Sequence, residues 1–177
     1  MDTQIECLVD KVKSSNRDLV LHAITTIENL ELDDPRIIEQ LKLHLEDRDE
    51  EIQAKALLAL TGVIAKHDYP MEDAARMLAS KTSFVVYAAI ISLATIPEVD
   101  DKIIRIADRA FGRALQSCDY GLVELFARAY LTWLPEPVTH IADTFEDGYE
   151  EYIDTALEAI KNVKLQRAAE SKETSAS

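Results

Sequence analysis

The chain has 177 residues, 47% of them hydrophobic, and carries 33 acidic against 19 basic side chains for a formal charge of −14. This length is enough to bury a sizeable core in one domain. The negative charge disfavours nucleic-acid binding, because phosphate backbones would be repelled unless positive charge were gathered locally. No apolar run approaches the ~20 residues that span a bilayer, and no basic and apolar leader opens the chain. We therefore expect no membrane partner and a cytoplasmic location.

The first organising feature along the chain is a repeat in which Ala23, Ala56 and Ala89 stand 33 residues apart. Apolar columns shift together with these alanines at spacings of three and four, which mark one face of a helix. Periods of 20 to 50 residues are typical of stacked supersecondary units. Each repeat is therefore predicted to be two amphipathic helices and a short turn. The shifting columns include Leu19, Ile52 and Val85 before the alanines, and Leu30, Val63 and Ile96 after them.

The predicted turns carry matching residues. Asn16, Asp49 and Thr82 stand just before the second helix of their repeats, where a short side-chain oxygen can accept the unpaired amide hydrogens of the first turn. Pro35 and Pro70 are predicted to open the first helices of repeats two and three, where a missing N–H costs nothing. Local chemistry thus agrees with the repeat.

The strict period ends after Ile96, but the second-helix pattern returns twice. A fourth first helix is predicted over residues 100–116, and its Gly112 can mark a close crossing or a break. A short fifth first helix is predicted from residue 137 to about residue 145. The returning second-helix columns are Val123, Ala127, Leu131 and Leu134, then Tyr152, Ala156, Ile160 and Val163.

The end of the chain has a different composition. Residues 166–177, QRAAESKETSAS, are polar and end in small side chains, so they are predicted to be a frayed or disordered tail. A tag remnant or a tethering tail is the alternative. The predicted helices within residues 1–165 then form a single repeat domain.

The stretch from residue 33 to residue 65 carries a family likeness. It reads DDPRIIEQLKLHLEDRDEEIQAKALLALTGVIA, and it resembles a HEAT repeat of the short bacterial and archaeal kind. The flanking repeats fit more loosely. The resemblance implies an all-α fold, a right-handed α-solenoid of about five helix-turn-helix repeats. The matching positions are Asp47, Asp49, Ile52, Ala56, Ala59, Leu60 and Val63.

A departure from the family pattern concerns its Asp–Arg ladder. HEAT repeats commonly carry a basic residue directly after the first aliphatic residue of the second helix, and this residue helps to join neighbouring repeats. The ladder is absent here, so regular curvature is not implied. Because HEAT proteins are mostly binding scaffolds, the resemblance implies a non-enzymatic interaction module. The departing column reads Val20, Gln53, Val86, Glu124 and Ile153.

Positive charge is gathered at one place, the fourth first helix. Four cations there are spaced by three, four and four residues, which places them on one side of the helix. One interpretation is a solvated outer face, partly paired with Asp101 and Asp108. The other is an anion-binding contact for an acidic partner or a phosphate. The basic stripe consists of Lys102, Arg105, Arg109 and Arg113.

Aromatic residues gather on the second helices of repeats three and four. If these helices line one side of the array, as they line the concave side of HEAT folds, the aromatic residues can form a patch with a charged rim. Such a patch suits a peptide or a partner helix. The alternative is that these side chains fill core gaps around the irregular fourth repeat. The predicted partner-binding residues are Phe84, Leu122, Phe126, Tyr130 and Trp133, with Lys55, Glu51 and Glu151 setting the orientation.

Signatures of chemistry are weak. The four histidines lie in different repeats, and no pair has the short spacing typical of a metal site. There is no glycine-rich phosphate loop and no GxSxG elbow. We therefore predict no catalytic residue, cofactor or metal. Cys7 and Cys118 have no close spacing and are expected to be reduced packing residues in the cytosol.

Two other functions stay open beside the interaction module. A HEAT-like enzyme or enzyme accessory, such as a base-excision glycosylase or a chromophore lyase, would use the basic stripe for phosphate or carboxylate groups and a nearby carboxylate such as Asp143 for chemistry. Self-association is the other possibility, because Ile5, Leu8 and Val12 recur in the first helix and nothing clearly polar caps that end of the array.

Overall fold

A computed structural model describes residues 2–63, 71–145 and 150–174, and within these residues the chain is α-helical with no strand. The predicted all-α class is therefore confirmed. The predicted pairs of helices are present, and the fifth first helix spans Pro137–Phe145 as expected. The helices are α1 (Asp2–Val12), α2 (Arg17–Leu30), α3 (Pro35–His44), α4 (Glu50–Thr61), α5 (Met71–Met77), α6 (Ser83–Ala94), α7 (Asp101–Gln116), α8 (Tyr120–Trp133), α9 (Pro137–Phe145) and α10 (Glu150–Thr174).

The chain divides into two compact units, a first unit of Met1–Thr95 and a second unit of Ile96–Ser177. The boundary falls where the strict 33-residue period ends. The grouping of residues 1–165 as a single repeat domain stays a prediction.

The first unit is organised by its alanine column. Ala23, Ala56 and Ala89 are fully buried. They lie on α2, α4 and α6, and α4 packs against both other helices. A methyl side chain at each of these positions lets neighbouring helices approach closely.

Helix α1 packs against α2 and α3, with its apolar side inward. Ile5, Leu8 and Val12 are all buried within the first unit. The exposed positions of α1 are polar, for example Gln4 and Asp10. The unit's own helices therefore already cover these apolar residues, and dimerisation through the first repeat stays a prediction.

The predicted caps are mostly confirmed. The side chain of Asn16 accepts from two amides at the start of α2, and Asp49 does the same for α4. Pro35 opens α3, whereas Pro70 lies outside the described residues. Thr82 occupies the N-cap position of α6 but makes no side-chain cap bond. Its hydroxyl donates to the carboxylate of Glu50, because that acceptor lies within reach one repeat earlier.

Polar contacts join the repeats of the first unit at their turns. The guanidinium of Arg17 donates to Asp49 at 2.5 Å and also to Glu51. The bond from Arg17 is the main cause that lowers the pKa of Asp49, and it outweighs the opposing effect of burial. The Arg17–Asp49 and Thr82–Glu50 partners are each 32 residues apart. These bonds join successive repeats through residues at the start of the second helices.

The second unit is built around α8, which packs on α7 and on α10. Helix α7 is continuous, and Gly112 is buried within it, so the glycine marks no break. Helix α10 also packs on α9. The core of this unit contains the aromatic side chains described below.

The predicted disordered tail is wrong for residues 166–174, because α10 continues to Thr174. Its extension is held to α8 by side chains. Arg167 donates to the Arg128 carbonyl at 3.0 Å and to the Thr132 hydroxyl at 3.1 Å, while Arg128 donates to Gln166 at 2.6 Å. Polar residues here serve helix packing, which composition alone does not distinguish from disorder. Residues 175–177 lie outside the described part.

Candidate functional site

The predicted aromatic patch is largely core. Leu122, Phe126 and Tyr130 are buried, with the last two fully inaccessible, so the prediction of a binding surface at these three residues is wrong. The rings of Phe126 and Tyr130 pack on Phe111. The ring centroid of Phe111 lies 5.4 Å from the ring centroids of Phe126, Tyr130 and Phe145. The alternative interpretation, core filling around the irregular fourth repeat, is the one that the structure supports.

The core of the second unit also contains a buried polar network. Asp108 accepts a hydrogen bond from the Tyr130 hydroxyl at 2.7 Å, and the same oxygen lies 2.9 Å from Nε2 of His140. Burial, followed by the charge of Asp108 and its hydrogen bond, raises the pKa of Tyr130 well above 10.0. Because Tyr130 is inaccessible, the network joins α7, α8 and α9 and is not placed to touch a substrate.

The remaining members of the predicted patch have separate roles. Trp133 is partly buried, and its indole N–H donates to the Ile96 carbonyl at 3.1 Å. Phe84 is exposed on α6 of the first unit. In the same unit, Lys55 lies 3.5 Å from Glu28, and Glu51 accepts from Arg17. The side chain of Glu151 lies outside the described residues. Lys55 and Glu51, two of the residues expected to orient a partner, are thus engaged in contacts between repeats.

The four cations of the basic stripe lie on one helix, as their spacing predicted. Lys102, Arg105, Arg109 and Arg113 are all exposed on α7. Arg105 and Arg109 form no ion pair with any carboxylate in the described part of the chain. The expected pairing with Asp108 is wrong, because that carboxylate faces the core and bonds Tyr130 and His140 instead.

The other polar candidates of the sequence are dispersed. Asp143 is exposed on α9 and forms no hydrogen bond or ion pair with the described residues of α7. Cys7 and Cys118 are free and exposed, so the expectation that they pack in the core is wrong. Across residues 2–63, 71–145 and 150–174, no group of three or more histidine, cysteine, aspartate or glutamate side chains has the arrangement of a metal site. The described helices also include none with the length and apolar character to cross a membrane.

A groove of about 500 Å³ lies between α8 and α10 in the second unit. Val123 and Ala159 supply its less exposed apolar lining. Tyr120 and Leu165 also line it and are respectively 68% and 61% exposed. Two large apolar side chains therefore remain open to a ligand beside a sheltered apolar surface.

Polar groups complete the groove. Glu124 and Glu158 supply carboxylates, and Thr155, Asn162 and Gln166 supply neutral donors and acceptors. Glu124 is paired with Arg128 at 2.9 Å, and Arg128 also bonds Gln166. This bridge fixes α8 to α10 beside the groove. Such a lining can hold a ligand that combines apolar side chains with a positive charge.

The sequence pointed to the helices that form this groove but to different residues on them. The predicted partner-binding residues Leu122, Phe126 and Tyr130 lie on α8, but none of them lines the groove. Tyr120 and Leu165 were missed, because Leu165 lay next to the assumed tail and Tyr120 begins its helix. The sequence did contain a sign that Leu165 is exposed, because its neighbours in the segment KLQR are all polar, which is unusual for a core residue.

Comparisons with known proteins establish a fold and no more. No protein-family model matches the chain, and no curated protein matches it. Two engineered proteins with crystal structures from the Northeast Structural Genomics Consortium are similar to it. One aligns over 89% of this chain and 77% of its own, with 18% identity and a TM-score of 0.58. The other aligns over 89% of this chain and 50% of its own, with 19% identity and a TM-score of 0.54. The resemblance to HEAT repeats stays a prediction.

Proposed function

We propose that this chain is a non-enzymatic protein-interaction module that binds a segment of a partner protein in the groove between α8 and α10. In this proposal the helical pairs form a right-handed array of about five HEAT-like repeats, and the groove belongs to its second-helix face. The observation that carries the proposal is the exposure of Tyr120 and Leu165 beside an apolar groove. Free, exposed cysteines suit a reducing compartment such as the cytosol.

The shape of the groove favours a helical or extended peptide over a compact small molecule. Its α10 side runs from Thr155 to Gln166 at steps of three and four residues. Eleven residues of helix extend about 16 Å, or three turns. A partner helix can lay its apolar side along such a surface with anchors at the same spacing.

The anchors on this side are the two exposed apolar residues. Tyr120 offers a large ring with a polar tip, and Leu165 offers an aliphatic side chain. Large apolar and tyrosine side chains that become desolvated on binding commonly dominate the affinity of an interface. The carboxylate of Glu158 favours a partner that carries lysine or arginine near its apolar anchors, whereas Glu124 is already paired with Arg128.

The experiment is a selection of displayed peptides on the whole chain, followed by measured affinities of the selected peptides. Peptides are expected to combine basic and large apolar residues. The double variant Tyr120→Ala, Leu165→Ala should bind them about 30-fold more weakly, if each side chain contributes somewhat more than 1 kcal/mol. The matched control is Tyr87→Ala, Leu43→Ala, which removes the same residue types from exposed positions of the first unit.

Circular dichroism should give equal helix content for both double variants, since all four side chains are exposed. Equal affinity of the selected peptides for the wild type and the groove variant would contradict the proposal. So would a selection dominated by acidic peptides.

A further inference from the structure

We infer that Arg128 and Arg167 are positioning residues of the groove between α8 and α10, although neither of them belongs to its lining. They hold the arm of α10, which comprises residues 164–174, against α8. The arm contributes Leu165 and Gln166 to the groove. This role rests on the proposed function of the groove, and it implies that peptide binding and helical order in the arm stabilise each other.

The buried side of α10 ends before the arm begins. Ala156, Ile160 and Val163 are buried, at steps of four and three residues along the helix. A further step of four on the same side reaches Arg167, which is exposed. All side chains from residue 164 to residue 169 are exposed. These residues bury little apolar surface, so hydrophobic burial contributes little to the stability of the arm.

A helix of the arm's length is marginal without such burial. Isolated helices shorter than about 12–15 residues are only marginally stable in water, and the arm is shorter than this. Helix ends that bury little surface open locally at a small cost in free energy. Helical order in the arm therefore depends on its side-chain contacts with α8.

These contacts form a polar clamp between α8 and the arm. The Nη2 atom of Arg167 donates to the Arg128 carbonyl at 3.0 Å and to the Thr132 hydroxyl at 3.1 Å. Arg128 donates to Glu124 from Nε at 3.2 Å and from Nη2 at 2.9 Å, and its Nη2 also donates to Gln166 at 2.6 Å. Hydrogen bonds from charged donors are stronger than neutral ones. The clamp thus stabilises the arm where the buried side of α10 has ended.

The clamp lies directly beside two residues of the groove. Gln166 accepts from Arg128 and lines the groove, and so does its neighbour Leu165. When the arm frays, Leu165 is no longer held beside Val123 and Ala159, and the groove loses an apolar anchor. If a peptide binds only the ordered arm, its apparent affinity is reduced by the ordered fraction. The coupling is reciprocal, so a bound peptide also stabilises the arm.

The test uses the whole chain and, as the probe, the basic and apolar peptide that binds the wild type most tightly in the peptide selection. Arg167→Met removes the donor of the clamp and keeps an unbranched side chain. It should weaken binding of the probe about fivefold, which corresponds to about 1 kcal/mol.

The matched control is Lys164→Met, which removes a cation from an exposed position of the arm outside the lining. It should change the affinity by less than about twofold. Loss of a cation beside a groove that holds a basic peptide would by itself strengthen binding. Weakening by Arg167→Met therefore reports the lost clamp and not the lost charge.

Two further variants distinguish positioning from a general loss of stability. Both bonds of Arg167 begin at one nitrogen, so the ammonium of Arg167→Lys can donate to both acceptors and should keep most of the affinity. In the background of Leu165→Ala, Arg167→Met should weaken binding by less than about twofold, because the positioned side chain is already missing.

Hydrogen exchange measures the order of the arm directly. Amides of residues 168–174 should exchange faster than those of residues 156–163, and Arg167→Met should accelerate them further, unlike Lys164→Met. The probe should slow this exchange, although no described side chain beyond Gln166 belongs to the lining. Arg128→Met should also accelerate the exchange. Exchange is the readout for Arg128 because this variant also frees the carboxylate of Glu124 to attract a basic probe.

Three outcomes would overturn the inference and leave the proposed function intact. They are equal affinity of the probe for the wild type and Arg167→Met, equal weakening by Arg167→Met with and without Leu165, and exchange in the arm that neither the probe nor Arg128→Met changes. If no selected peptide bound the wild type, the proposed function and this inference would both fail. That result differs from binding that is insensitive to Arg167.

Discussion

The cores of the two units differ in the size of their side chains. Among the described residues of the first unit, the buried core is aliphatic and rich in alanine, and its aromatic residues Phe84 and Tyr87 are exposed. In the second unit, Phe111, Phe126 and Tyr130 meet in the core. The unit with small core side chains is the one whose sequence shows the regular 33-residue repeat, and the unit with large core rings is the one whose sequence does not.

Small side chains recur at the same positions of successive repeats in the first unit, whereas large rings fill more space in the second. Helix α7 has 16 residues, compared with 10 in α3. Its carboxylate Asp108 also needs partners, because an unpaired buried charge is costly.

The largest expected effect is in the aromatic core. Phe126→Ala should lower the free energy of unfolding of the second unit by about 3–5 kcal/mol, because it leaves a cavity among packed rings. The exposed Phe84→Ala should change the stability by less than about 0.5 kcal/mol. Urea unfolding can be followed by the fluorescence of Trp133, the single tryptophan, which lies in the second unit.

If Phe126→Ala left the free energy of unfolding nearly unchanged and abolished peptide binding, Phe126 would belong to a binding surface and not to the core. A large loss of stability in Phe126→Ala and a small one in Phe84→Ala would show that the aromatic residues stabilise the second unit and not the first.

The next effect is specific to Tyr130 and appears in alkali. Burial chiefly raises its pKa above 10.0, so the folded chain keeps a proton that the unfolded chain has lost. Stability from this group is fully present below the unfolded pKa and falls as pH rises above it, by about 1.4 kcal/mol per pH unit until the folded pKa is reached. Urea unfolding at several pH values above 10 measures this slope.

Tyr130→Phe provides the control for the alkaline experiment. It removes the titrating hydroxyl while lysines, cysteines and other tyrosines remain in both proteins. The variant should be less stable at neutral pH, because Asp108 loses a hydrogen-bond donor, but its stability should fall less steeply in alkali. Identical slopes for the two proteins would show that Tyr130 is not the responsible group.

The smallest effect concerns the turns of the first unit. Asp49→Ala should cost about 1 kcal/mol, because Asp49 caps α4. Thr82→Ala should cost less, about 0.5 kcal/mol or below, because Thr82 makes no cap bond. Thermal unfolding followed by circular dichroism compares the two variants.

Equal losses in these two variants would mean that the bond between Thr82 and Glu50 contributes as much as a helix cap. The contribution of Asp49 should also fade in acid, because Arg17 lowers its pKa and protonation removes the charge that it holds at higher pH.

Much of the helical framework was readable in advance. The alanine column predicted the buried faces of α2, α4 and α6, and Asn16 and Asp49 marked the starts of two helices. The caps and the apolar spacing within each helix involve residues one or two turns apart, and the 33-residue step repeats this local pattern along the chain. The candidate site was less accessible to this reasoning. Phe126 and Tyr130 share one helix side, but their spacing does not tell whether that side meets water or Phe111.

The all-α class, the 33-residue step, most of the helix caps and the row of cations on one side of α7 were predictable from the sequence, because each follows from the spacing of residues along the chain. Three features were apparent only in the tertiary structure. The chain divides into two compact units after Thr95, and α10 continues through the polar residues 166–174. Asp108 faces the core and not the basic stripe. The tertiary structure also left Tyr120 and Leu165 exposed beside a groove. Those outcomes depend on partners 20 to 40 residues away, and a helical period identifies a side of a helix without identifying what covers it.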